Sequence, residues 1–115
     1  MTRGQPTGDD LLEMLAALAN PIRLRIVATL AADGRDYVSH LARVIGVSRP
    51  LLHMHLQRLE AAGLLVGNLE LSEDGKAMKF YDVADFDLRL TAEALAQAAK
   101  TLTKSDPEKG LPNKE

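Results

Sequence analysis

The side chains best suited to chemistry in this 115-residue sequence are hydrogen-bond donors grouped between positions 48 and 58. If this segment is a helix, Leu52, Leu56 and Leu59 share one face, because successive residues turn by about 100°. Those leucines must face a core, which leaves the opposite face for polar contacts. Arginine binds phosphate and guanine, while other donors and small apolar groups read base edges. This predicted donor face comprises Ser48, Arg49, Pro50, His53, Met54, Gln57 and Arg58.

The sequence offers few of the residue patterns that enzymes use for catalysis. We find no phosphate-binding glycine loop, no zinc-protease motif and no serine elbow. The sequence has no cysteine, which excludes disulfides and thiolate zinc sites. His53 and His55 point about 160° apart on a helix, so they cannot hold one ion together. We therefore expect no enzyme activity, no cofactor and no metal site.

The other ionisable residues that could take part in chemistry are one histidine and three carboxylates. His55 lies at the margin of the predicted core face, and we expect it to be packed, with a ring nitrogen on a neighbouring backbone group. Asp85, Asp87 and Glu93 could form a hard-cation site, since carboxylates suit such ions. We favour solvated carboxylates at a helix N-terminus, where negative charge is stabilising.

The amino-acid composition indicates which kind of secondary structure holds the donor face in place. Apolar residues make up 46% of the chain and aromatic residues only 3%, which favours an aliphatic core of packed helices in a single domain. The net charge of −2 argues at first against a nucleic-acid partner. However, residues 21–63 carry six arginines against three acidic residues, whereas residues 64–85 carry two lysines against five acidic residues. The positive charge therefore coincides with the donor face.

Apolar periodicity and capping residues predict about five helices and one β-hairpin. The N-terminus has no apolar signal segment, and no stretch approaches the roughly 18 apolar residues of a membrane span, so we expect a cytoplasmic protein without a membrane partner. We expect residues 1–8 to be a flexible arm, 9–103 the folded domain and 104–115 a disordered tail. The first predicted helix begins at Asp9, and the second runs from Pro21 to Gly34. The third, fourth and fifth cover Val38–Ile45, about 49–62 and Phe86–Thr103. The hairpin is predicted at about 64–84, with its turn at Ser72–Gly75.

Two short helices joined by a Gly-Val-Ser-Arg turn and followed by a hairpin are typical of a winged helix-turn-helix. The run from Leu18 to Val27, the Gly46-Val47-Ser48 turn and the run from Leu59 to Leu65 resemble those of ArsR-type winged-helix regulators. The resemblance covers about residues 10–103. It implies a mainly α fold with a small hairpin wing and a dimer that binds double-stranded operator DNA and is released by an effector.

The resemblance also assigns roles to residues outside the fourth helix. Lys76 and Lys79 would be wing contacts to phosphate or to the minor groove. The first and last helices would form the homodimer, and their leucine stripes support this assignment. Two-fold symmetry then predicts an inverted-repeat operator. The expected dimer residues are Leu11, Leu12, Leu15, Leu88, Leu95 and Leu102.

Some residues depart from the family pattern and leave alternatives open. Pro50, Leu51 and Met54 offer few hydrogen bonds to bases, and the wing tip carries Glu73 and Asp74, which repel phosphate. A winged-helix module that binds a protein partner, with weak or no DNA binding, is therefore a second interpretation. A metal-responsive regulator that uses only carboxylates and histidine is a third. The sequence does not identify an effector.

Overall fold

The computed structural model describes residues 5–103. Within this part of the chain, helices and short strands follow one another in the order expected for a winged helix-turn-helix, with one additional strand. The elements are α1 (Gly8–Leu18), α2 (Pro21–Asp33), β1 (Asp36–Tyr37), α3 (Val38–Ile45), α4 (Arg49–Ala61), β2 (Leu65–Leu71), β3 (Ala77–Val83) and α5 (Ala92–Ala99). The predicted arm residues 1–4 and the predicted tail 104–115 lie outside the described residues.

Local capping signals fix the ends of the central helices. The Asn20 side chain accepts hydrogen bonds from the backbone N–H groups of Ile22 and Arg23, at 2.8 and 3.1 Å. Gly46 ends α3 in the left-handed conformation, with φ of 85° and ψ of 35°. Such a conformation favours glycine because a Cβ atom strains it. These caps confirm the predicted start of α2 and the predicted end of α3.

The sheet has three antiparallel strands in the order β1-β3-β2. The β2–β3 hairpin pairs Leu65 with Val83 and Leu71 with Ala77, which confirms the predicted wing. Strand β1 is an addition to the predicted elements, because its two residues lie between the predicted second and third helices. Its two residues pair with Tyr81 and Phe80 of β3. This contact between distant segments leaves no signal in a two-residue stretch.

The described residues form two compact units. The larger, the helix-turn-helix unit, runs from Met14 to Phe86, and its core is aliphatic apart from Tyr81. Aliphatic burial is the main driving force for packing these helices. The most deeply buried side chains of this unit are Tyr81, Ile26, Leu30, Leu41, Leu52, Leu56, Leu59 and Leu64.

The smaller unit, the terminal unit, combines the described residues 5–13 and 87–103. The backbone N–H of Gly8 donates to Oγ1 of Thr101 at 2.7 Å, and Asp9 accepts hydrogen bonds from Thr103. Gly8 is the first residue of α1 and is buried. A Cβ atom at Gly8 would lie 2.4 Å from the carbonyl oxygen of Ala98. Glycine is therefore required for this close approach of Gly8 to Ala98.

The predicted span of the last helix, Phe86–Thr103, is wrong at both ends. Helix α5 begins at Ala92, because the side chain of Thr91 accepts a hydrogen bond from the Ala94 N–H at 3.0 Å and so caps the helix there. At the other end, the Thr101 hydroxyl donates to the Ala98 carbonyl at 2.9 Å. The apolar spacing of residues 86–91 matches a helix, but these residues are not helical. Leu88 therefore does not belong to α5.

No single helix in the described range is long and apolar enough to cross a bilayer. The pair α1 and α2 reaches that length and hydropathy only when counted together across a 96° bend.

Candidate nucleic-acid interface

Helix α4 presents the donor face to solvent. Ser48 caps the helix, its hydroxyl accepting a hydrogen bond from the Leu51 N–H at 3.3 Å, and Pro50 occupies the first turn. Proline fits there because the first turn needs no N–H donor. All seven residues of the predicted donor face are exposed, Met54 to 60%. The structure therefore brings Ser48, Arg49, Pro50, His53, Met54, Gln57 and Arg58 onto one accessible surface.

The opposite side of α4 anchors the donor face to the core. Leu52, Leu56 and Leu59 are each 0% exposed, as the periodicity predicts. His55 joins them at 7% exposure. Burial, and secondarily the positive charge of Arg23, lowers the pKa of His55 below its ordinary value of 6.5. The ring is therefore neutral near pH 7.

The predicted partner of His55 was wrong. A backbone group was expected, but Nδ1 of His55 lies 3.1 Å from Nη1 of Arg23, a side chain on α2. The residues are 32 positions apart, so sequence spacing gives no sign of the contact. Nε of Arg23 also donates to the carbonyl oxygen of Ala17 at 2.6 Å.

Arg35 is also engaged inside the unit. Its guanidinium donates to both carboxylate oxygens of Glu70, one at 3.2 Å, and lies 4.6 Å from the ring centre of Phe80. The hydrogen bond to Glu70, with its charge, raises the pKa of Arg35. Two of the six arginines of residues 21–63 are thus committed to internal contacts. By contrast, within residues 5–103 no hydrogen bond or ion pair engages the side chains of Arg49 and Arg58.

The wing tip remains acidic in the structure, and one of its two carboxylates takes part in the turn. The carboxylate of Asp74 accepts a hydrogen bond from the Ser72 hydroxyl. This hydrogen bond, and secondarily the backbone N–H of Lys76, lower the pKa of Asp74. This carboxylate thus helps to close the turn, while Glu73 stays exposed. The side chain of Lys76 is exposed on the same turn.

Lys79 lies further from the tip, on the strand face that also carries Tyr81. Nζ of Lys79 is 5.5 Å from the ring centre of Tyr81, within the range of a cation–π contact. The tyrosine hydroxyl lies 3.5 Å from Oε1 of Glu60, in the last turn of α4. A Cβ atom at Gly67 would lie 2.8 Å from Cε of Lys79, so glycine lets the lysine cross the strand. The wing is thus connected to the C-terminal end of α4.

The predicted dimer residues differ in accessibility. Leu12, Leu95 and Leu102 are exposed, Leu12 to 56%. Leu15 and Leu88 are half-buried. Leu11 is buried at 6% exposure, and it lines a cavity of about 610 Å³ inside the terminal unit. Leu90 is also exposed. It is not among the predicted dimer residues, because the segment around it was predicted to be helical.

The described residues contain no group of three histidine or acidic side chains that could hold a metal ion. Nδ1 of His40 is paired with Asp36, and the His40 ring lies 5.9 Å from that of Tyr37. Asp85, Asp87 and Glu93 are not brought together as a metal site.

Comparisons with known proteins agree with this geometry. A family model described as a helix-turn-helix domain matches residues 18–68. An uncharacterised HTH-type transcriptional regulator of Methanocaldococcus jannaschii is 33% identical over 86 residues, covering 75% of this chain and 88% of that protein. The HTH-type transcriptional repressor SmtB of Mycobacterium tuberculosis is 35% identical over 89 residues, covering 76% of this chain and 62% of that protein.

A solved structure extends the comparison to the fold. It is the homodimeric winged helix-turn-helix DNA-binding domain of a possible ArsR-family regulator from Mycobacterium bovis. The two chains are 25% identical and superpose with a TM-score of 0.59, over 80% of this chain and 74% of that one. The family-model match over residues 18–68 includes all of α4. The chain belongs to the ArsR/SmtB-type family of winged helix-turn-helix transcriptional regulators.

Proposed function

We propose that this chain acts in the cytoplasm as a homodimeric, sequence-specific DNA-binding repressor. The observation that carries the proposal is the two-sided character of α4. One side is fixed in the core by three fully buried leucines, and the other presents arginine, histidine and glutamine donors to solvent. A helix with these two sides can enter a major groove without rearrangement of the core.

The donor face suggests which part of the site reads bases. Arg49, in the first turn of α4, is suited to a bidentate contact with guanine. Pro50 and Met54 supply apolar surface for thymine methyl groups. Arg58, in the last turn, and Lys76 and Lys79 on the wing are suited to phosphate. This division gives the N-terminal part of α4 the sequence preference, and Arg58 together with the wing the salt dependence.

Dimerisation would cover the exposed leucines of the terminal unit. Leu12, Leu95 and Leu102 project from a small unit that has little core of its own. The related Mycobacterium bovis domain is homodimeric. With one α4 per copy, a two-fold axis would place half-site centres about 34–36 Å apart, one turn of the duplex.

The proposal is tested by selecting double-stranded fragments on the purified protein and titrating the best fragment by fluorescence anisotropy. We expect an inverted repeat, and affinity that falls with salt at a slope of about −0.9 for each phosphate contact. The variants Lys76→Ala and Arg58→Ala should each make the slope shallower by about one. Lys100→Ala, which removes a charge beyond α5, is the matched control. Absence of binding, or binding without salt dependence, contradicts the proposal.

A protein partner is the alternative that the apolar part of the donor face favours, since Leu51 and Met54 are both exposed. Pull-down from a lysate with and without nuclease separates the two functions. If retained partners are lost after nuclease treatment, DNA binding is supported. If they persist and the protein does not bind heparin, the protein-interaction function is supported. The two relatives described above are named as a transcriptional regulator and a transcriptional repressor, and neither name is that of an enzyme.

A further inference from the structure

Arg23 connects three helices at the back of the donor face. It lies in the first turn of α2, where Asn20 caps its backbone N–H. Its Nε donates to the carbonyl oxygen of Ala17 near the end of α1, and its Nη1 meets Nδ1 of His55 on α4. One guanidinium thus satisfies a helix-end carbonyl and holds the buried imidazole of His55.

The chemistry of the pair fixes the state of the imidazole. A guanidinium has donors and no acceptor, so Nδ1 of His55 must be the accepting nitrogen. The ring is then neutral and carries its proton on Nε2. Arg23 is the charged group that acts on His55, and its positive charge opposes a second proton on the ring. The tautomer therefore follows from the contact.

From this geometry we infer that Arg23 is a positioning residue for DNA recognition, acting through His55. The inference rests on the proposed DNA-binding function. His55 lies two positions from His53 and three from Arg58 on the same helix, so a rotation of α4 about its axis displaces the whole donor face. Leucines alone tolerate small rotations, because dispersion and hydrophobic contacts have little directionality. The hydrogen bond from Arg23 is directional and selects one rotation.

The first test needs no DNA. Long-range 1H–15N NMR spectra of the free protein near pH 7 report which nitrogen of each histidine ring carries the proton. We expect Nδ1 of His55 to be unprotonated in the wild type, with a mixture of tautomers in Arg23→Met. A protonated Nδ1 in the wild type, or an unchanged spectrum in Arg23→Met, overturns the inference. Arg25→Met, which removes an exposed charge from the same helix, is the control.

The second test measures operator affinity in a double-mutant cycle. Arg23→Met and His55→Leu should each weaken operator binding by about tenfold, the scale of one hydrogen bond, and the double variant should lose no more than either single one. The salt slope and the affinity for random DNA should stay unchanged. His55→Asn places an amide oxygen near the Nδ1 position and should restore most of the affinity.

Several results of the second test overturn the inference. Losses that add show that the two residues act independently, and a salt slope that falls by about one in Arg23→Met shows a phosphate contact. If Arg23→Met does not fold, Arg23→Lys takes its place, since a lysine cannot bridge both acceptors, and full affinity in that variant also contradicts the inference. A wild type that binds no DNA but shows the expected tautomer refutes the proposed function and leaves the Arg23–His55 contact established.

Discussion

The phenol oxygen of Tyr81 lies 3.5 Å from Oε1 of Glu60, and through this contact the returning strand of the wing meets the last turn of α4. Tyr81 is only 1% exposed, so its ring is a core residue and its hydroxyl is the polar end of that core. Burial, as the largest effect, raises the pKa of Tyr81. The orientation of the wing therefore depends on the same core that holds α4.

Removal of the Tyr81 ring should destabilise the helix-turn-helix unit far more than removal of its hydroxyl. We expect Tyr81→Ala to cost about 3–5 kcal/mol in the free energy of unfolding, as for other large aromatic truncations. Tyr81→Phe should cost less than about 1 kcal/mol, because the hydroxyl makes one long hydrogen bond. Urea unfolding of both variants checks this. Equal costs for the two variants would show that the hydroxyl, and not the ring, anchors the strand.

The lowered pKa of His55 predicts a stability that depends on pH. The unfolded histidine binds a proton at a higher pH than the folded one, so the free energy of unfolding should be constant well above pH 6.5. It should then decrease as the pH falls below that value toward the folded pKa. Urea unfolding at several pH values from about 5 to 8 measures this. In His55→Asn this part of the pH dependence should disappear, and an unchanged profile would contradict the assignment.

Substitution of Gly8 by alanine should destabilise the terminal unit, although alanine normally favours a helix. The added Cβ would lie 2.4 Å from the Ala98 carbonyl oxygen and 2.7 Å from Cδ2 of Leu102, so the backbone must move. We expect a loss of about 1–3 kcal/mol, as for other overpacked sites. Thermal unfolding measures the change. An increase in stability would mean that Gly8 and Ala98 do not approach closely in solution.

A charged residue in place of an exposed leucine of the terminal unit should prevent dimerisation. Leu95 is 46% exposed in the single chain, and Leu95→Asp would place a carboxylate in the proposed dimer interface, where an unpaired charge is costly. Sedimentation velocity should show a dimer for the wild type and a monomer for this variant. Leu71→Asp, at a leucine that is 75% exposed on the wing, is the matched control and should remain dimeric. A dimeric Leu95→Asp would place the interface elsewhere.

Features determined by neighbouring residues could be predicted from the sequence. Asn20 before Pro21, and Ser48 before a proline two positions later, fix helix starts through local hydrogen bonds. The leucine spacing on α4 correctly predicted which side of the helix is buried and which is exposed, because burial follows the helical period. The start of α5 also had a local signal, the capping residue Thr91, but the leucine spacing around it favoured a longer helix.

Features that depend on distant pairings could not be predicted. Strand β1 exists because Tyr37 and Asp36 pair with β3, more than 40 positions away. The partners of two arginines also depend on distant parts of the chain. Arg35 and Arg23 are directed to Glu70 and His55 by the tertiary fold, so the positive charge counted along the sequence overstates what is available to DNA.

The central claim is that the exposed side of α4 reads DNA bases, and Arg49→Ala tests it most directly. On the selected operator, and on operators with a single base pair changed in each half-site, anisotropy titration gives the affinity of wild type and variant. We predict a loss of about 1–3 kcal/mol on the selected operator, and loss of discrimination at one position of each half-site. Unchanged affinity together with unchanged discrimination would contradict the claim.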